Sequence, residues 1–157
     1  MTRSSLFRAS GQIVSLGLLT IFGLGCGLGP SVQVQDDGST INVQGNSNDA
    51  VRLGQNITIP DTFPAEVPRY PGATTQIALK DAESYTLSQE TPDEIDTVIR
   101  ALDQQMTQQG FTLVVRIGNP GEAVQMIDYG NEAKQLRTRI QVTRDPSTQK
   151  TRIMVAQ

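Results

Sequence analysis

In Thr91-Pro92-Asp93-Glu94-Ile95-Asp96-Thr97-Val98-Ile99-Arg100-Ala101-Leu102-Asp103-Gln104-Gln105-Met106-Thr107-Gln108-Gln109-Gly110-Phe111, apolar residues recur every three or four positions; after it they recur every second position. Thr91 carries the side chain of an N-cap, Pro92 suits the first helical position, and Glu94 stands where a capping box wants an acid. Asp93, Glu94 and Asp96 favour the positive end of a helix dipole. Ile95, Val98, Ile99, Leu102 and Met106 fall on one helical face, and Gly110 suits a left-handed stop. The pattern predicts one amphipathic helix over 92–109.

Beyond Gly110, Phe111, Leu113, Val115 and Ile117 alternate with Thr112, Val114 and Arg116, which predicts a strand. Asn119-Pro120-Gly121 marks a turn. Residues 123–129 read as a strand in which Val124 and Met126 compete with Ile127 and Tyr129 for the inner face. Gly130-Asn131 reads as the next turn. A long strand then sets Leu136, Ile140 and Val142 opposite Arg137, Arg139 and Gln141. Asp145-Pro146-Ser147-Thr148 turns the chain into a last strand holding Ile153 and Val155. Before the helix, 76–80 and 84–88 read as two strands joined at 81–83. The expected class is α+β: an antiparallel sheet of about ββαββββ order, with the helix on one face and the other face open to water.

Phe63-Pro64-Ala65-Glu66-Val67-Pro68-Arg69-Tyr70-Pro71-Gly72-Ala73 holds three prolines in eight residues and can be neither helix nor central strand. Pro71-Gly72 suits a type II turn, and Phe63, Val67 and Tyr70 can pin this rigid arm to a core. Further upstream, Val32-Gln33-Val34-Gln35 and Thr40-Ile41-Asn42-Val43-Gln44 flank Asp36-Asp37-Gly38 and predict a β-hairpin. A lone hairpin is marginal in water, so it must dock on the main domain or a partner. Leu53 with Ile57 and Ile59 suggests one more short strand.

The chain opens with Arg3 and Arg8, then a 12-residue apolar run over 13–24, then Gly25-Cys26. As a helix the run spans about 18 Å, short of the ~30 Å hydrocarbon core. A basic start before a short apolar run is a secretory signal. Cys26 is the sole cysteine, so it has no intramolecular disulfide partner. The expected organisation is a lipoprotein signal peptide at 1–25, a lipidated polar tether at 26–62 and a globular domain at 63–157. Cys26 takes the lipid and holds the chain on a membrane. Gly23 stands three positions before Cys26, where such leaders usually have Leu. Secretion with a free thiol, and an uncleaved anchor, are the competing readings.

The segment 63–73, the Thr91-Pro92 helix start and the Gly110-Phe111 stop together resemble a group of uncharacterised bacterial envelope lipoproteins. That group shares an FPxxVPxYPGA segment after a lipidated tail, often with Trp where this chain has Phe111. The resemblance implies an envelope location and supports the α+β fold, and it implies no reaction. The Gln-rich, Lys-poor composition points to a cyanobacterial member.

Composition narrows the chemistry further. Of 157 residues, 13 are basic and 16 acidic; none is His or Trp. Without residues 1–25 the balance is 11 basic to 16 acidic, which disfavours nucleic acid as a partner. The absence of His removes Ser-His-Asp and Cys-His catalysis and the usual zinc sites. No catalytic residue, cofactor or metal ligand is expected. Positive charge gathers late in Arg137, Arg139, Arg144, Lys150 and Arg152. Pairing of the last two strands puts Arg137, Arg139 and Arg152 on one open face, a candidate contact for lipid head groups or an anionic envelope polymer. The expected function is a non-enzymatic, lipid-anchored envelope protein acting as a binding or assembly module. Its expected partners are the membrane, through Cys26, and an envelope protein. A carrier of a small apolar ligand between helix and sheet would need a deep apolar cavity. A hydrolase using carboxylates alone would need two acids facing each other in a cleft.

Overall fold

Ile95–Gln108 forms α1, and its Ile95, Val98, Ile99, Leu102 and Met106 are all buried, the face that the spacing predicts. Burying each of these larger side chains contributes roughly 1.5–3 kcal/mol. The helix starts later than expected. Thr91 belongs to a strand, and its Oγ1 accepts the Asp93 N–H at 3.3 Å within a turn ahead of the helix. The N-cap is Glu94, with extended backbone and no side-chain cap. Tertiary bonds explain the shift. The Asp93 carbonyl accepts from Thr151 Oγ1 at 2.6 Å and Arg144 Nη1 at 2.7 Å. The Thr97 N–H, which a helix begun at Pro92 would give to Asp93, goes to the Glu94 carbonyl instead.

The other end agrees with the sequence. Gly110 takes φ +81°, its N–H bonds the Thr107 carbonyl, and the Phe111 N–H bonds the Met106 carbonyl at 2.9 Å. This is a Schellman stop, and Phe111 and Met106 are both buried beneath it.

The computed structural model describes residues 31–34, 40–44, 50–81 and 84–157. Its strands are β1 (Ser31–Val34), β2 (Thr40–Gln44), β3 (Ala50–Gly54), β4 (Thr74–Asp81), β5 (Ser84–Thr91), β6 (Thr112–Ile117), β7 (Val124–Asn131), β8 (Leu136–Asp145) and β9 (Lys150–Ala156). They form one antiparallel sheet in the order β1-β2-β3-β4-β5-β9-β8-β7-β6. The described residues are therefore α+β, an antiparallel sheet with one helix. The hairpin read at 31–44 pairs Val32 with Val43 and Val34 with Ile41, and it docks through β3 onto β4. Residues 31–54, inside the stretch read as a tether, thus lengthen the sheet by three strands.

Ala78, Leu87, Val155, Ile140 and Ile127 lie in register across β4, β5, β9, β8 and β7 and form the floor beneath α1. Ile127 and Tyr129 win the inner face of β7, and Val124 and Met126 point outward. The strand β7 runs on through Gly130 and Asn131, so the turn lies at 132–135. Asn131 is buried and donates through Nδ2 to the Gln109 carbonyl, which keeps it in the sheet.

The strand β6 departs most from its pattern. All six residues are exposed, and pairing shifts between Leu113 and Val115. One inserted residue at Val114 moves the rest of the strand to the opposite face, so Val115 and Ile117 face outward and Arg116 turns toward α1.

The proline arm behaves as its residues predict. Gly72 takes φ +77°, the Ala73 N–H closes the turn onto the Tyr70 carbonyl, and Phe63, Val67 and Tyr70 are buried. Gln89 accepts the Tyr70 N–H at 2.9 Å, and the Tyr70 hydroxyl donates to Asp93 at 2.6 Å.

Replacing Gly110 with Ala tests the helix stop. A Cβ there meets nothing closer than Asn131 Nδ2 at 3.5 Å, so the cost is backbone strain alone. Gly110→Ala should destabilise the fold by about 1 kcal/mol. Urea unfolding should show a lower midpoint at unchanged slope, with Gly110→Asn intermediate.

Candidate functional site

Alternation along each strand gives the sheet a second face, on the side away from α1. Register places two rows on it at the β1 end: Val32, Val43, Val51 and Leu79, then Val34, Ile41, Leu53 and Ile77. Val32 and Val34 are each 61% exposed, Ile41 and Leu53 are also exposed, and the remaining four are half-buried. The helix-side positions on the same strands are polar: Gln33, Asn42 and Arg52. The polarity of these strands is thus opposite to that of β7, β8 and β9.

The middle of this face is charged. Arg139 holds Asp128 with two bonds of 2.8 and 2.9 Å. Hydrogen bonding from Arg139, with the nearby charges of Arg139 and Arg137, holds the Asp128 carboxyl below its usual range. Lys150 bonds Glu90 at 2.5 Å. Lys150 first, then Gln76 and Arg152, keep the Glu90 carboxyl low against the opposing effect of burial. Arg137, Arg139 and Arg152 all sit on this face, as the sequence predicts. They do not make a continuous stripe. Arg152 stands opposite Thr143, six positions along β8 from Arg137, or ~20 Å at ~3.3 Å per residue. Arg144 is not part of the set; it faces α1 and bonds Pro92, Asp93, Glu94 and Thr151.

Two grooves open among these charges. One of about 340 Å³ has Tyr85, Asp128, Arg137, Arg139 and Ala156 in its wall. Another of about 600 Å³ is bounded by Glu90, Thr143, Asp145, Lys150, Arg152 and Met154. Beside Asp145, the Ser147 hydroxyl and N–H bring its carboxyl down to about 2.

On the helix side, a cleft of about 380 Å³ holds Asp96, Arg100, Asp103, Arg116 and Gln125. Two acids thus share a cleft, but each has structural partners. Arg116 binds Asp103 at 2.6 Å, and the Tyr129 hydroxyl donates to the same carboxylate. Burial, then Asp103, pushes the Tyr129 phenol upward, so it stays protonated at neutral pH. Asp96 accepts from the Gly121 N–H at 3.1 Å and from Gln125 at 3.4 Å. Seven helical positions put the two Cα atoms ~10 Å apart. These contacts bind α1 to β6 and β7.

Cys26 and the leader lie outside the described residues. Among the described residues, no helix is long and apolar enough to cross a membrane. No group of three or more acids and cysteines stands ready for a metal among them either. The aliphatic rows escape a strand-by-strand reading. Alternation in 32–34, 41–43 and 51–53 is visible, but which set faces α1 depends on register with β4. Comparisons with protein-family models, curated proteins and solved structures find no match to this chain.

The Glu90–Lys150 pair predicts a pH effect. The folded carboxyl sits below its ordinary value, so the pair stabilises the fold at neutral pH. That contribution is lost as pH falls through the carboxylate range, below about 4. Glu90→Gln should cost about 1 kcal/mol at pH 7 and progressively less below pH 4, read from urea midpoints of both proteins across pH.

Proposed function

We propose that this protein is a lipid-anchored module of the cell envelope that serves binding or assembly rather than catalysis. The observation that carries this reading is the uncovered sheet face, with eight aliphatic side chains from four adjacent strands in two rows. Exposed apolar surface of this extent is a usual mark of an interaction site. The leader supports the anchor: a basic start, a short apolar run and Cys26 after it. Burying acyl chains contributes about 0.8 kcal/mol per CH₂, and two or more chains give stable attachment.

Contact with an anionic surface through Arg137, Arg139 and Arg152 belongs to the same proposal. The Arg139–Asp128 pair adjusts its terms: Arg139 must exchange one carboxylate for another anion, whereas Arg137 and Arg152 flank the pair at the two ends of the face. Charge reversal at Arg137 together with Arg152 should therefore lower co-sedimentation with anionic vesicles.

Mass spectrometry of the protein from its native membrane tests the anchor. The expected product begins at Cys26 and carries acyl chains, and Cys26→Ser should move the protein from the membrane to the soluble fraction. An intact Met1 or an unmodified Cys26 thiol overturns the reading. Purification from detergent-solubilised membranes tests the role. A defined complex supports assembly, and a stoichiometric small apolar molecule favours the carrier.

A further inference from the structure

The geometry points to the aliphatic quarter of the open face, on β1 to β4, as a surface that lies on the lipid bilayer itself, with its side chains at the boundary between head groups and acyl chains. This rests on acylation of Cys26 and adds an orientation to it.

Three observations carry the inference. The first is reach. The strand β1 begins at Ser31, five residues after Cys26. Even a fully extended chain spans only about 17 Å over five residues. Once Cys26 is acylated, β1 therefore cannot leave the neighbourhood of the head groups, whatever the conformation of residues 27–30. A 35-residue tether would free the domain; four residues do not.

The second is inverted polarity. In β7, β8 and β9 the apolar side faces α1. In β1, β2 and β3 the aliphatic side faces away from it, and Gln33, Asn42 and Arg52 occupy the helix side. Had these strands only to extend the sheet in water, both of their faces would favour polar residues. Instead the aliphatic row of each strand continues in register onto Ile77 and Leu79 of β4.

The third is the distribution of charge. Neither row carries a charge between β1 and β4; on this face of β4 the charge is Asp81 at the strand's end, two positions past Leu79, and the other ionised groups stand further on, at Glu90, Arg152, Arg139 and Asp128. Strands twist by ~20–25° each, so a plane that touches β1 to β4 tilts away from β7 and β6. A surface laid on the two aliphatic rows therefore has Asp81 at its rim and leaves the charged middle in water. An interfacial apolar face sinks ~5–10 Å into the head-group and acyl boundary, about the height of one layer of Val, Leu and Ile side chains.

The chain has no Trp, so a single introduced one reports alone. Ile41→Trp and Leu53→Trp place the probe on the aliphatic face, and Asn42→Trp places it on the opposite face of the same strand. Each full-length variant is produced with its anchor, reconstituted in phosphatidylcholine vesicles, and exposed to brominated lipid and to aqueous iodide. Far-ultraviolet circular dichroism checks folding, and the second face variant stands in if one is misfolded. Trp at 41 and 53 should emit further to the blue than Trp at 42 and be quenched by brominated lipid at least about threefold more, with iodide in the reverse order. Equal quenching at 41 and 42 overturns the inference. Protection of position 41 from both quenchers also overturns it, and assigns the face to a second copy of the chain or another protein. The mass of the Cys26 peptide, taken from the same vesicles, separates the two failures. Absent acyl chains defeat the anchor, and acyl chains without lipid quenching defeat only the orientation.

Discussion

Among the described residues one helix of 14 residues lies against a sheet of nine strands, and that mismatch governs the molecule. At ~1.5 Å per residue α1 is ~21 Å long, while eight inter-strand spacings of ~4.8 Å make the sheet ~38 Å wide. The helix seals β5, β9, β8 and β7. The proline arm extends the cover, because Phe63, Val67 and Tyr70 are held by backbone that cannot wind into a helix. Neither reaches across β1 to β3, and there the strands carry their aliphatic side chains on the other face.

Polar contacts decide where the helix sits on that floor. Arg144 and Thr151 hold the turn before it, Asp96 meets Gln125 and Gly121, and Asp103 gathers Arg116 and Tyr129. Together they join α1, or its entry turn, to β6, β7, β8 and β9 and to the loop at Gly121. Hydrophobic burial is non-directional and would tolerate some sliding, whereas charge-assisted bonds of this geometry do not. The same contacts account for acids that would otherwise invite a catalytic reading. Asp96 and Asp103 share a cleft because both are needed at the rim of the helix, and each already accepts two donors.

A single inserted residue shows how closely face and function are tied. Simple alternation would keep 111, 113, 115 and 117 on one face, yet the bulge at Val114 sends Val115 and Ile117 outward and brings Arg116 to Asp103. Without that shift, Arg116 would sit among open-face groups and Asp103 would lose its cation. The only local mark of the bulge is the apolar run Leu113-Val114-Val115, which interrupts the alternation without saying which residue is extra, and no Gly or Pro signals it. The late arginines are a parallel case. Arg137, Arg139 and Arg152 share a face as their spacing requires, but Arg139 is held by Asp128, a residue whose facing the spacing alone left undecided.

Local physics made much of this chain legible in advance: the buried stripe of α1, the left-handed stop at Gly110, the turn at Gly72, the hairpin at 31–44, and an antiparallel α+β architecture. Each depends on neighbours within a few positions, through helical period, backbone φ or strand alternation. The helix start moved from Pro92 to Ile95 because Arg144 and Thr151, over fifty residues away, claim the carbonyl it needed. The inner face of β7, the bulge in β6 and the inverted strands β1 to β3 likewise required pairing partners distant in the chain. Alternation states that a strand has two faces; only its neighbours in the sheet settle which of them meets the core and which is left for something else to cover.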